Sequence, residues 1–362
     1  MGPYYFLVAI PVLYHLLSPH HIYAVSPQAR TRRTVLIFFA IYIFLLLLRD
    51  SGVGVDLVIY LPRFRLIGNT SWPFLFLGHS NSEPAYIILN KVISIFYQND
   101  QFFLAVVSLI ITLPVAYLYA KESEGAILTI SIFLVFPLFE MFFSGLRQSI
   151  AIALAVPAYY FVKNKRPVYF VLTVILAYLF HNSALIMLML YPVYHVRVTR
   201  LRLIIVVPII ILIYIFNSTI FDFLLGFLGG HRFEKYRTMS STGAYTMLIL
   251  LALFAAFSFF IVDDKKLCAE TVGLRNILLF STCLQIFAPL HPLAMRMNYY
   301  FLLFPPILIP MVINRSRRKY HQIAIIAKVV ISLFFIFYFF FHGYNGDDVL
   351  QVYPYKAFWE VY

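Results

Sequence analysis

VLIFFAIYIFLLLLRDSGVGVDLVIY occupies residues 35–60. Its first fourteen residues form an unbroken apolar run, and Arg49, Asp50, Gly52, Gly54 and Asp56 then follow within eight positions. A membrane β-strand would alternate apolar and polar residues. This run does not alternate, so it reads as a membrane helix ending at a charged mouth. The rest of the chain has the same character. It has 362 residues, of which 62% are hydrophobic and 12% charged, with a net charge of +13. Its mean hydropathy is +0.86. Soluble domains lie nearer half apolar and a quarter charged.

Twelve segments read as spans: 3–17, 35–48, 102–119, 126–143, 146–162, 167–180, 183–195, 203–219, 244–262, 272–288, 299–313 and 323–341. The opening MGPYYFLVAIPVLYHLL lacks a basic n-region and a small-residue cleavage site, and reads as a retained span. With the N-terminus outside, ARTRR, KNKR, VRVTRLR, DDKK and NRSRRK all fall on the inner side. That side then holds about 18 of the 28 Lys and Arg residues, as the positive-inside rule requires. The expectation is an all-α polytopic membrane protein of about 12 transmembrane helices, both termini extracytoplasmic, with residues 1–362 as one integral membrane domain. Two outer segments are long, 49–101 and 220–243. Within the first, EPAYIILNKVISIFY (83–97) has the spacing of an interfacial or re-entrant helix. The net positive charge belongs to cytoplasmic loops, and nucleic acid is not an expected partner. Cys268 and Cys283 have neither disulfide-framework nor metal-ligand spacing, and no metal or other cofactor is expected.

The outer side carries the informative charges. Arg49 ends the second span, and Asp56 stands four residues before Tyr60, one helical turn if a helix restarts there. The bland reading is a snorkelling arginine and two capping aspartates. FEMFFSGLRQSIAIALAVP shifts the balance, because it sets Glu140, Arg147 and Gln148 between two apolar spans with almost no loop. Ionisable groups at membrane depth are costly and mark function. AYLFHNSALIML puts His181 at a turn on the same side. HPLAMRMNYYF adds His291 and Arg296, and HRFEKYR adds Arg232, Lys235 and Arg237. Arginine forks match phosphate oxygens. Carboxylates and histidine accept a hydroxyl proton. The combination suits a lipid-linked phosphate donor attacked by a sugar hydroxyl. The chain has no P-loop, G-x-G-x-x-G, H-E-x-x-H or G-x-S-x-G, which argues against nucleotide-driven chemistry.

Five motifs in order, R…G-x-D-x-x-x-Y (49–60), E-x-x-Y (83–86), L-R-Q-x-I-A (146–151), F-H-x-S-A (180–184) and R-x-x-x-Y-F (296–301), resemble the EpsG-like branch of the Wzy-type polysaccharide polymerases. The resemblance runs from the second span to the eleventh. One departure is Asp50, where the family often has an aromatic or hydroxyl residue; it leaves Asp50 and Asp56 both open as the chemical carboxylate. The resemblance implies a GT-C-like membrane transferase at the outer face of the bacterial cytoplasmic membrane. Such an enzyme moves a glycan from polyprenyl pyrophosphate onto another lipid-linked repeat unit. Its surroundings would be the bilayer, a flippase and a chain-length regulator.

On that reading Arg147 and Arg296 hold the pyrophosphate, with Arg49 as a third candidate and Gln148 and Arg237 beside them. Asp56, Glu83 and His181 are candidates for the base. Tyr60 and Tyr86 are placed to stack on sugars, though tyrosines also serve as interface anchors. Rival readings are a lipid-linked oligosaccharide flippase, a polysaccharide ligase and an inactive assembly subunit. A flippase should show repeats and broken helices with polar groups near the midplane.

Overall fold

Proline and short polar caps set many of the helix boundaries. Our computed structural model describes residues 1–18, 26–77, 82–199, 201–227, 244–262, 267–316, 320–345 and 349–360. The described residues are helical throughout, apart from turns, extended connections and one isolated bridge between Arg49 and Ala357. They divide into two compact units. The first comprises residues 1–185 and 327–362, the second residues 186–326.

The first unit contains α1 (Gly2–Leu17), α2 (Pro27–Leu48), α3 (Leu57–Asn69), α4 (Pro84–Phe96), α5 (Asp100–Glu122), α6 (Ala126–Val135), α7 (Pro137–Ser144), α8 (Leu146–Ala153), α9 (Ala155–Lys163) and α10 (Pro167–Tyr178). Ser26 caps α2 by accepting from Ala29 N–H at 3.2 Å, with Pro27 at the first helical position. Asn99 caps α5 in the same way through Phe102 N–H at 3.1 Å, and Asp100 and Lys121 complement the dipole at its two ends. The core is aromatic. Phe38, Phe39, Tyr42, Phe133 and Phe139 bury their rings against one another, and the Tyr42 hydroxyl donates to Phe139 O at 2.6 Å. Such ring pairs add stability beyond the area they bury.

The second unit contains α11 (Leu190–His195), α12 (Leu203–Ile215), α13 (Asn217–Phe227), α14 (Ala244–Phe260), α15 (Ala269–Gln285), α16 (Pro292–Leu302) and α17 (Pro305–Asn314). A buried polar chain fixes its interior. Ser281 donates to Asn298, Asn298 to Gln285, and Gln285 to Ala244 O, at 2.7, 2.9 and 3.1 Å. Arg275 stacks on Phe259 at 3.8 Å and donates to Val198 O at 2.8 Å. The last helix, α18 (His321–Asn345), joins the first unit from Ala327 onward.

Helix covers each of the twelve apolar segments, but the elements are more broken than the pattern predicts. Among the described residues three helices, α2, α5 and α18, are long and apolar enough to cross a membrane. Three bent pairs raise that to six: α6 with α7 at 62°, α12 with α13 at 76°, and α16 with α17 at 44°. The first bend has a plain cause. Pro137 disfavours helical backbone at Phe136, which is extended at φ −85° and ψ 147°. The 183–195 segment is a 3₁₀ run, Asn182–Met189, followed by the short α11. Helix α12 is apolar and buries none of its residues, as expected of a helix facing lipid. The chain is an integral membrane protein.

Candidate active site

The charged loop after α2 is held by the far end of the chain. Asp50 N–H donates to Lys356 O and Phe358 N–H to Leu48 O, both at 2.9 Å, around the Arg49–Ala357 bridge. Gly54 and Val55 donate to Gln351 O and Leu350 O, also at 2.9 Å. Tyr355 and Tyr4 add hydroxyl bonds to Leu45 O and Val352 O at 3.0 and 2.9 Å. Residues 349–360 therefore clamp the 49–56 loop in place.

Arg49 lies under this clamp with no exposed surface. It donates to Leu46 O at 2.9 Å and to Ser108 on α5 at 3.3 Å, and its guanidinium faces the Phe143 ring at 5.7 Å. Its Nε and second terminal nitrogen have no partner among the described residues. The guanidinium is wholly buried. It ties α2, α5 and α7 together beneath the loop.

Asp50 and Asp56 differ in engagement. The Asp50 carboxylate accepts from Gly52 N–H at 2.8 Å and fixes the turn. Asp56 occupies the N-cap position of α3, but its carboxylate makes no capping bond. Its amide instead donates to Ser144 Oγ at 3.1 Å, three residues before Arg147. Gly54 makes this approach possible. Its φ is +115°, and a Cβ there would overlap the Phe143 carbonyl oxygen. Gly54→Ala is expected to cost about 1–3 kcal/mol, read as a lower melting temperature in detergent. Gly52→Ala, whose added carbon would meet only the Asp50 side chain at 3.1 Å, should cost less.

Glu83 and Arg147 meet across α4 and α8. Glu83 is the N-cap residue of α4, yet its side chain does not cap the helix. Its carboxylate accepts from Arg147 at 2.6 Å, with the two side chains 10% and 24% exposed. The Arg147 guanidinium sits 5.7 Å from the Tyr60 ring, and Tyr60 packs edge-on against Tyr86 at 5.8 Å. The Tyr86 hydroxyl is buried without a hydrogen-bond partner among the described residues. Ala85 N–H donates to Leu179 O at 3.1 Å and anchors this end of α4 on the turn that carries His181. The Ser183 hydroxyl and amide lie 2.7 and 3.3 Å from His181 Nδ1. Accepting that amide assigns the neutral ring's proton to Nε2.

The first unit thus brings together Asp56, Tyr60, Glu83, Tyr86 and Arg147, with His181 on the neighbouring turn. Gln148 is buried beside Arg147. Glu140 faces His342 at 3.5 Å. Arg296 is on the exposed side of α16 in the second unit. Arg237 lies outside the described residues, as do Arg232 and Lys235. Sequence reasoning missed Ser144, Arg63 and the 349–360 clamp. The clamp carries no span or motif, and Arg63 looks like one more interfacial arginine.

A family model described as EpsG matches residues 32–357. The chain belongs to the EpsG family. EpsG is a Wzy-like polymerase family. The match takes in every residue of this cluster and reaches into the clamp. Neither curated proteins nor solved structures gave a match to this EpsG chain.

Proposed function

We propose that this EpsG-family chain polymerises polyprenyl-pyrophosphate-linked oligosaccharide repeat units at the outer face of the bacterial cytoplasmic membrane. The observation that carries the reading is the Glu83–Arg147 pair set against Tyr60 and Tyr86. It supplies an acid–base group, a fixed cation and aromatic faces in one place. The acceptor hydroxyl gives its proton to a carboxylate, and its oxygen bonds to the anomeric carbon. The bond from that carbon to the pyrophosphate oxygen breaks, and the electron pair leaves with the pyrophosphate, whose charge Arg147 stabilises. One base with the leaving group on the opposite face gives inversion. Arg296 remains a pyrophosphate candidate on sequence grounds alone.

Asp56 and Glu83 are better placed as base than His181, whose Nδ1 already accepts from Ser183. The assignment is tested in a strain deleted for the gene and complemented with Asp56→Asn or Glu83→Gln. The base variant should stop the surface glycan at a single repeat with protein level unchanged. Long polymer from both variants would overturn the carboxylate mechanism.

The flippase reading has one observation in its favour, the three bent helix pairs. The breaks at Phe136–Pro137, Phe216–Asn217 and Leu303–Phe304 carry no charged residue. In the deletion strain, precursor held on the cytoplasmic face would favour a flippase. Long polymer left on its lipid carrier would favour a ligase.

A further inference from the structure

Helix α3 carries two arginines with different company. Arg65 pairs with the Asp100 carboxylate. Arg63 donates only to the Ser82 hydroxyl, one residue before Glu83, and has no carboxylate partner among the described residues. Tyr60 and Arg63 are three apart and so share a helix face. Tyr60 packs on Tyr86, whose buried hydroxyl lacks a hydrogen-bond partner. Ser82 adjoins Glu83, the partner of Arg147, so guanidiniums from α3 and α8 bond to neighbouring residues at the start of α4.

Their charges are not equally available. Glu83 neutralises Arg147 at 2.6 Å. An anion arriving at a neutral pair gains little until the pair opens. Arg63 is the cation whose charge is not already balanced, and its planar fork suits phosphate oxygens. We propose that Arg63 is a binding residue of this site, holding a phosphate group of the lipid-linked pyrophosphate beside Arg147. The inference rests on the function proposed above and adds a residue to it. The pyrophosphate then bridges α3 and α8 and competes with Glu83 for Arg147.

The test is calorimetric binding of farnesyl pyrophosphate to the full chain in detergent, with farnesol as the uncharged control. Wild type should bind the pyrophosphate and not farnesol. Arg63→Ala should weaken binding about tenfold or more, the usual effect of losing a charge-assisted hydrogen bond. Arg63→Gln keeps a donor for Ser82 but removes the charge, and should show the same loss if the alanine variant does not fold. Arg65→Ala should bind as wild type does. If folded Arg63 variants bind as wild type while Arg147→Ala loses binding, the Arg63 proposal fails and the polymerase reading stands. If wild type binds farnesyl pyrophosphate no better than farnesol, both fail.

Discussion

Arg147→Ala is expected to leave a folded protein that makes no polymer. Arg147 pairs with Glu83 and faces the Tyr60 ring, and in the proposed reaction its loss removes the charge that stabilises the departing pyrophosphate. Removing one such donor costs about a hundredfold or more in rate. It also leaves Glu83 without its partner. The pair is partly exposed, so the stability cost should fall below the ~3–5 kcal/mol of a fully buried pair. Glycan length in a complemented deletion strain reads the first effect, and thermal unfolding in detergent reads the second. The charge-swapped double variant, Glu83→Arg with Arg147→Glu, separates them. It restores a pair between α4 and α8 and should recover stability, but it moves the cation to α4 and should stay inactive. Normal polymer length from Arg147→Ala at normal protein level would remove Arg147 from the chemistry. Recovery of activity in the swap would make the pair a structural brace.

Truncation after residue 348 should be nearly as damaging, although it removes no charge from the cluster. Four backbone hydrogen bonds join the last segment to the loop and the end of α2. At about 1 kcal/mol each they contribute about 4 kcal/mol. Without them the 49–56 loop loses its partner, Arg49 loses its cover, and Asp56 loses its fixed distance from Ser144. The expected result is a lower melting temperature together with at least a hundredfold loss of polymer. Adding residues 349–360 back as a synthetic peptide should restore part of both. A truncated protein with wild-type polymer length would show that the clamp has no part in the reaction.

Much of this architecture was legible in the sequence because membrane helices announce themselves through uninterrupted apolar runs. Arg49 at the end of α2, a helix restarting at Asp56 and a helix over 83–97 could be read locally. The bend at Pro137 follows from the residue itself, although the apolar run 126–143 reads as a single span. Long-range partnership was harder to read. Glu83 and Arg147 are 64 residues apart, and only the packing of α4 and α8 makes them a pair. Arg63 gave no local signal that its charge lacks a carboxylate partner while that of Arg65 has one. The final segment is neither apolar enough nor regular enough to stand out, and its role lies in backbone groups that no side-chain pattern encodes.

The clamp also orders events during synthesis. The ribosome delivers the 49–56 loop roughly 300 residues before the segment that secures it. At ordinary elongation rates that is a delay of about 15–60 s. During that interval α3 to α18 are synthesised while the charged loop still lacks its backbone partners. A stalled or prematurely terminated translation product would occupy the bilayer as an idle protein, because the loop sets only once the last segment is made.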